Sequence, residues 1–442
     1  MISILLSPHI LLAGKSPTVS TAMREEEILI LQGKVSIYWL GVEPFLYIAD
    51  PEFLRKMSSG VLDKSWGKPA VFREDRLPMF GIGLVMVEGE HWIHNRHVIT
   101  PAFSPANLKA MTSQMVECTT KMLDRWDAFC TSHKPEIDVE HDIIRTAGEI
   151  IAKVSFGMKH GTSYENGQIV FEKLRAMQMT LFKSNRNVGV PFSEFFSPKK
   201  SLEARRIGKE IDQLLLSMIN LQKESRTKSP EEDLLGVLLA GNDEDSHPGG
   251  KKLTSRELVD ECKTFFFGGH ETTALSLAWT LQLLVVHPEW QTQLRKEIKQ
   301  VIGDGEIDST KLAALKKMGW VWNEVLRLYS PAPNRQARED IQVDDMVIPK
   351  GINMWIDVVG MNHDKELWGD DVFEFKPERF KDDLYGGCKH KMGFLPFGFG
   401  GRMCVGRNLS AMDYKVVLTL ILSRFSLSLS KLPSFPCYYA LS

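Results

Sequence analysis

The chain has 442 residues, 43% of them hydrophobic and 25% charged, with a formal net charge of −2. This composition excludes a disordered or collagen-like chain, and the near-neutral balance excludes a global pull toward nucleic acid or an anionic membrane. The six cysteines, at 118, 130, 262, 388, 404 and 437, form no C-x-x-C pair, which argues against a disulfide framework and for a reducing compartment.

The opening residues, MISILLSPHILLAGKSP, are apolar but short, broken by Pro8 and without a basic lead, so they read as neither a signal peptide nor a membrane span. From Gly33 the text KVSIYWLGVEPFLYIADPEFLRKM predicts two short strands and then a helix. Trp92 and Arg96, in HWIHNR, stand four apart and share a helical face, where an indole N–H and a guanidinium can grip one carboxylate. Helical spacing from Leu108 to Leu123 and from Ile137 to Phe156 predicts core helices. Met177 to Phe196, with Pro191, Phe192, Phe195 and Phe196, breaks the period and reads as a loop packing its own apolar cluster. Ser201 to Thr227 reads as a charged helix, and Ala240 to Lys252 as a polar loop.

The longest apolar run is Thr264 to Val286, in which His270, Glu271 and two glycines argue for a buried helix crossing a domain rather than a lipid-exposed one. Gly268 and Gly269 weaken that helix locally, and a Thr272 hydroxyl bonded to the carbonyl four residues back would open a notch in its wall. Glu324 and Arg327, in NEVLRLY, lie on one helical face, a spacing that in isolation makes only a minor surface pair. Near the end stands PFGFGGRMCVG, Pro396 to Gly406. Cys404 sits there before an apolar helical pattern that starts at Val405 and runs through Leu420, which puts its sulfur at a positive helix end. Gly400, Gly401 and Gly406 permit close approach of a flat ligand, Arg402 can pair with an anionic group, and Phe397 can cover the sulfur.

Phe397, Gly400, Arg402, Cys404 and Gly406 match F-x-x-G-x-R-x-C-x-G, and the segment resembles the haem-ligand loop of the cytochrome P450 family. The resemblance implies a mainly α, multihelical fold with a small β-sheet lobe, and haem b whose iron takes Cys404 as axial ligand. It implies that Trp92 and Arg96, followed by TPAF, form a haem-propionate helix, with Arg402 and Arg335 as further cofactor-binding groups, Arg335 lying in a segment shorter than the family's usual one. Gly268 to Thr272 matches [AG]-G-x-[DE]-T, which implies that Thr272 and Glu271 are the catalytic oxygen-activation and proton-relay pair. Glu324 and Arg327 would be completed by Arg379 of the PERF segment as a structural network supporting the loop.

The implied activity inserts one atom of O2 into a hydrophobic small molecule, with electrons from NADPH through a separate reductase, because the chain carries no flavin or nicotinamide fingerprint. Lys389, Lys391, Arg407, Lys415 and Arg424 surround the cysteine loop in sequence as a candidate docking face. LYIADPEF and ELWGDDVFEFKPERF resemble the plant clan that contains hormone hydroxylases, which implies a hormone-like or terpenoid-like substrate. The endoplasmic reticulum membrane, cytosolic face, is the implied location, with peripheral contact through the 177–196 segment. Residues 1–32 are expected to be an atypically short N-terminus without the usual anchor, and 33–442 a single domain with a shortened C-terminal end. Two other readings stay open at this point. One is a haem-binding but catalytically impaired protein, suggested by those shortened segments; the other is a haem-thiolate isomerase or dehydratase, against which Glu271 and Thr272 speak.

Overall fold

A capping box starts the helix around which the other elements pack. Thr254 Oγ1 accepts from the Glu257 N–H at 3.2 Å, and the Glu257 carboxylate accepts from the Thr254 N–H at 2.7 Å. From Ser255 the helix runs without a break to Val286 and stops at His287, before Pro288, which cannot continue the ladder. The computed structural model describes residues 2–6, 33–40, 42–59, 66–130, 137–157, 161–182, 198–225, 233–240, 252–330 and 334–429.

The helices that build the site are α1 (Pro51–Ser59), α2 (Gly89–Ile99), α3 (Thr112–Cys130), α4 (Val139–Phe156), α5 (Gly161–Phe182), α6 (Pro198–Ser225), α7 (Ser255–Val286), α8 (Lys316–Leu328) and α9 (Arg407–Arg424). Helix α7 is the central one. It lies against α4 along most of its length and against α6, α8 and α9 elsewhere. Leu258, Phe266, Ala274, Leu277, Leu281 and Leu284 of α7 are buried with Ile150 and Val154 of α4 and Val416, Leu418 and Ile421 of α9. Each such side chain contributes roughly 1.5–3 kcal/mol of transfer free energy, so this contact set, rather than helix propensity, holds α7 in place.

The sheet lobe has its own core. Strands β2 (Val35–Leu40), β3 (Glu43–Ile48), β4 (Trp66–Gly67), β5 (Asn334–Ala337) and β8 (Asn353–Ile356) form one sheet in the order β2-β3-β8-β5-β4, with β3 and β8 parallel and the other neighbours antiparallel. Leu46, Ile48, Met354 and Ile356 turn inward onto α1 and onto Trp368. Strands β6 (Ile341–Val343) and β7 (Met346–Ile348) pair in a separate hairpin, and β1 (Ile2–Leu6) runs parallel to β9 (Phe425–Leu429).

Several boundaries differ from the sequence reading: α7 starts at Ser255, ahead of the apolar run from Thr264, α4 starts at Val139 and not Ile137, and α6 at Pro198 and not Ser201. Helix α5 continues to Phe182, into the stretch read as a loop from Met177, because Leu174, Met177 and Leu181 keep the spacing that faces the core; residues 183–197 lie outside the described residues. Leu108 lies in a short helix, Pro105–Ala110, separate from α3, so the predicted Leu108–Leu123 helix is two. Helix α9 starts at Arg407, not Val405, since the backbone between Met403 and Gly406 is occupied in presenting the cysteine. Of the expected N-terminal unit, 1–32, only 2–6 are described, and of the C-terminal tail nothing beyond 429.

Candidate active site

The cysteine loop is shaped by its own backbone. Gly398 and Gly400 take φ of 78° and 63°, a region that favours glycine, and the Cys404 N–H donates to the Phe397 carbonyl at 2.9 Å to close the turn. Phe397 anchors the loop to the core, edge-on to Trp322 at 5.5 Å, and Trp322 stacks on Tyr414 of α9. Gly406 has an ordinary backbone; a Cβ there would come within 3.9 Å of both Cys404 Sγ and Phe103.

Cys404 opens onto a cavity of about 530 Å³. Burial pushes its thiol up, opposed by the backbone N–H groups of Gly406 and Arg407 and the charges of Arg96 and Arg407. Burial and these donors thus act in opposite directions on the free thiol, and a cation bound at the sulfur would add to the stabilisation of a thiolate.

Trp92 and Arg96 meet the loop from α2. Arg96 Nη1 donates to the Met403 carbonyl at 2.8 Å, and Arg402 Nη1 donates to the Val87 carbonyl at 3.1 Å. The Arg402 guanidinium lies 4.4 Å above the Trp92 ring. Two guanidiniums and an indole thus share one wall of the cavity with Cys404. Arg335 falls in strand β5, paired with Met354; its side chain lies outside the described residues.

The opposite wall is α7. Thr272 Oγ1 donates to the Gly268 carbonyl at 2.8 Å, the back-bond expected from the sequence, and Thr272, Gly268 and Gly269 all line the cavity. Glu271 points away from the cavity, beside His270, at 3.5 Å from its Nε2. Burial pushes Glu271 up, but His270, Gln178 and Arg175 outweigh it and hold the carboxyl below the usual carboxylate range. A mostly apolar cavity between Cys404 and a glycine-notched helix, with two guanidiniums and an indole in its lining, fits a planar macrocycle that carries an iron and two carboxylates.

Glu324, Arg327 and Arg379 come together where α8 meets the 371–380 segment. Arg327 makes a bidentate pair with Glu324, Nε–Oε2 at 2.7 Å and Nη2–Oε1 at 2.8 Å, with both side chains fully buried. It also donates to the carbonyls of Asn362 and Val372, and its charge lies over the Trp368 ring. Arg379 Nε stands 3.5 Å from Glu324, an ion-pair contact, while its Nη2 pairs with Asp371 at 2.8 Å. Asp371 was missed from the sequence because GDDVF reads as an ordinary surface turn.

The basic docking set divides. Arg424 is paired with Asp124 and Asp127, and Lys415, lowered by burial, donates to the Leu312 carbonyl, so neither presents free charge beside the cysteine loop. Sequence reasoning also missed Asp413, buried on α9 and lining the cavity, and the hydroxyl contact of Thr273 with Ser410 at 2.9 Å that joins α7 to α9.

The sequence profile described as Cytochrome P450 matches residues 16–437. The chain belongs to the cytochrome P450 family. Two proteins named cytokinin hydroxylase from Arabidopsis thaliana are 37% and 34% identical over 409 residues, covering 90% of this chain and 76% and 77% of theirs. Cytochrome P450 72A13 of Arabidopsis thaliana is 33% identical over 415 residues, 92% of this chain and 79% of its own. The fold superposes on a crystal structure of a cytochrome P450, CYP102L1, with a TM-score of 0.74, 20% identity and 88% coverage of both chains. The P450 is thus mainly helical with a small sheet lobe and is an oxidoreductase of the plant monooxygenase type, a family that uses haem iron, a hydrophobic substrate and a redox partner.

Proposed function

We propose that Cys404 is the axial ligand of haem b and that Trp92, Arg96, Arg402 and Arg335 bind its propionates, with hydroxylation of a hormone-sized hydrophobic molecule as the reaction. The observation that carries this is one cavity holding Cys404, Arg96 and Arg402 on one wall and the Gly268–Thr272 notch on the other. When bound, the haem would supply dioxygen activation, in which one oxygen atom enters a C–H bond of the substrate and the other leaves as water, consuming two electrons and two protons. Arg96 and Arg402 now bond main-chain carbonyls, and carboxylates would compete for those donors as charge-assisted partners. Thr272 Oγ1 is a proton donor at the cavity wall, and Glu271, one residue away on the far face of α7, can bring protons from solvent. Leu84, Ile151, Val154, Phe265 and Trp279 line an apolar wall that excludes water and holds the substrate.

The two cytokinin hydroxylases support a plant hormone as substrate. Electrons would come from NADPH through a separate reductase, on the cytosolic face of the endoplasmic reticulum membrane. No helix among the described residues is long and apolar enough to cross a membrane. Exposed Ile37, Trp39 and Val42 on the β2–β3 hairpin support a peripheral contact.

The test is spectral and then chemical. Reduced, carbon-monoxide-treated protein should show the long-wavelength band of a thiolate ligand, and Cys404→Ser should lose it. Purified cytokinins should shift the ferric spectrum and give, with NADPH and reductase, a product one oxygen heavier that carries label from 18O2. Thr272→Ala should keep the spectral shift while more of the NADPH consumed ends as hydrogen peroxide. A band unchanged in Cys404→Ser would sink the ligand assignment, and an unchanged product-to-peroxide ratio in Thr272→Ala would sink the role of its hydroxyl.

A further inference from the structure

His270 is fully buried in the middle of α7, next to the acid of the proposed relay and away from the cavity wall. Its ring is held on two sides: edge-on to Phe171 of α5 at 5.0 Å and 90°, and edge-on to Phe267 at 6.2 Å and 89°. Nδ1 lies 2.5 Å from the Phe266 carbonyl oxygen. A carbonyl only accepts, so Nδ1 carries a proton and donates it there. The other nitrogen, Nε2, is buried with no hydrogen-bond partner among the described residues, and Glu271 Oε2 stands 3.5 Å from it, an ion-pair distance. In a neutral imidazole with that tautomer Nε2 is an acceptor too, and two acceptors facing each other in a buried place repel. One proton between them removes the conflict.

We propose that His270 is a positioning residue for the relay acid, sharing one proton with Glu271 through Nε2 and thereby fixing both the orientation and the charge of its carboxylate. This rests on the relay role given to Glu271 above. The other groups facing the pair are Arg175 and Gln178 of α5, which favour the carboxylate, and Glu140 of α4, which opposes it; Glu140 lines the cavity and is itself raised, first by burial. Of the stabilising contacts on the Glu271 carboxylate, that from His270 is the largest, and burial pushes the other way. Without the imidazole, burial and Glu140 are opposed only by Arg175 and Gln178, and the carboxyl must retain its proton to a higher pH. The relay would then start from a carboxylic acid of different orientation, at a site whose pH dependence has moved.

The test reads Glu271 directly and does not require turnover. Infrared spectra of the full chain are taken from about pH 4 to 8, a range that brackets ordinary carboxyl and imidazole titration, and the Glu271 band is assigned by its loss in Glu271→Gln. The parent carboxyl should be ionised over nearly all of that range, His270→Phe should ionise at least one pH unit higher, a tenfold change in the proton equilibrium, and His270→Gln, which can donate but cannot titrate, should fall between. In haem-loaded protein His270→Phe should also raise the share of NADPH lost as peroxide several-fold, with the ferric substrate shift retained. An identical Glu271 titration in parent and His270→Phe overturns the proposal, whatever the activity. A parent without thiolate-type spectrum or turnover would instead undo the monooxygenase reading and leave the infrared result standing.

Discussion

Among the described residues, Asp413 carries a clear cost of burial. It is buried on α9, its Oδ1 has no hydrogen-bond partner among the described residues, and burial pushes its carboxyl up to about 7. A carboxyl raised above its unfolded value favours folding only while both states hold the proton. Stability is therefore lost as pH rises from the ordinary carboxylate value toward 7, and stays lost above it. A rise of this size corresponds to roughly 4 kcal/mol at most, at 1.36 kcal/mol per unit. Asp413→Asn should be more stable than the parent at pH 8, with the gain shrinking toward zero near pH 4, as measured by urea unfolding at both pH values. Glu261, raised to about 7 chiefly by burial, acts in the same direction, so the single variant should recover only part of the pH dependence. It differs from Asp413 in being satisfied: the Leu84 N–H and Asn95 Nδ2 donate to it at 3.0 and 2.9 Å, so Glu261→Ala should destabilise where Asp413→Asn does not.

At the scale of elements, the two glycines of α7 do different work. A Cβ on Gly269 would meet Ile151 Cδ1 of α4 at 2.6 Å, so that glycine lets two helices pack closely. A Cβ on Gly268 would meet nothing within 4 Å and would stand at the cavity wall. Gly269→Ala should therefore destabilise by roughly 1–3 kcal/mol through overpacking, relieved in part by Ile151→Ala. Gly268→Ala should stabilise by about 0.5–1 kcal/mol through helix propensity, yet weaken binding of ligands that reach the notch. Thermal melts and spectral titrations separate the two; equal effects would refute the assignment. The network of Glu324, Arg327 and Arg379 makes a second element-level case. Arg327 has five acceptors and no exposure, whereas Arg379 touches Glu324 only at 3.5 Å and leans on Asp371. Arg327→Ala, which leaves Glu324 buried and uncompensated, should cost about 3–5 kcal/mol and most of the haem-loaded yield. Arg379→Ala should cost about 1–3 kcal/mol, and a loss as large as that of Arg327→Ala would show the three residues to be one unit.

At the scale of the whole molecule, the helical core and the sheet core are joined across the cavity by α8 and by the cysteine loop. Trp320 of α8 packs against both, and Phe397 and Phe399 of the loop touch one core each. A group bound between Cys404 and α7 should therefore stabilise both cores together, by about 4 kcal/mol at a thousandfold excess over its dissociation constant. Haem-loaded protein should melt several degrees above haem-free protein in a single transition, and Cys404→Ser should lose most of that rise. Two separate transitions, only one of them moved by haem, would show that the cavity does not couple the cores.

Much of this was determined by the sequence alone. Local chemistry sufficed for the Thr264–Val286 part of α7 as a buried helix, though its start at Thr254 and Glu257 was not read, for the back-bond of Thr272 to Gly268, and for the cysteine loop, whose glycines and arginine are neighbours along the chain. The pattern of Trp92, Arg96, Glu324, Arg327 and Arg379 was legible as well, because each pair falls at a helical or motif spacing. Only the tertiary structure decided what depends on approach between distant segments: Asp371 closing on Arg379, Thr273 meeting Ser410, the unpaired burial of Asp413, and the direction of the Cys404 thiol. Sequence places donors and charges near a site, but desolvation is set by everything that packs around it. That sum decides whether Cys404 holds its proton, and whether Glu271 beside His270 gives its own away.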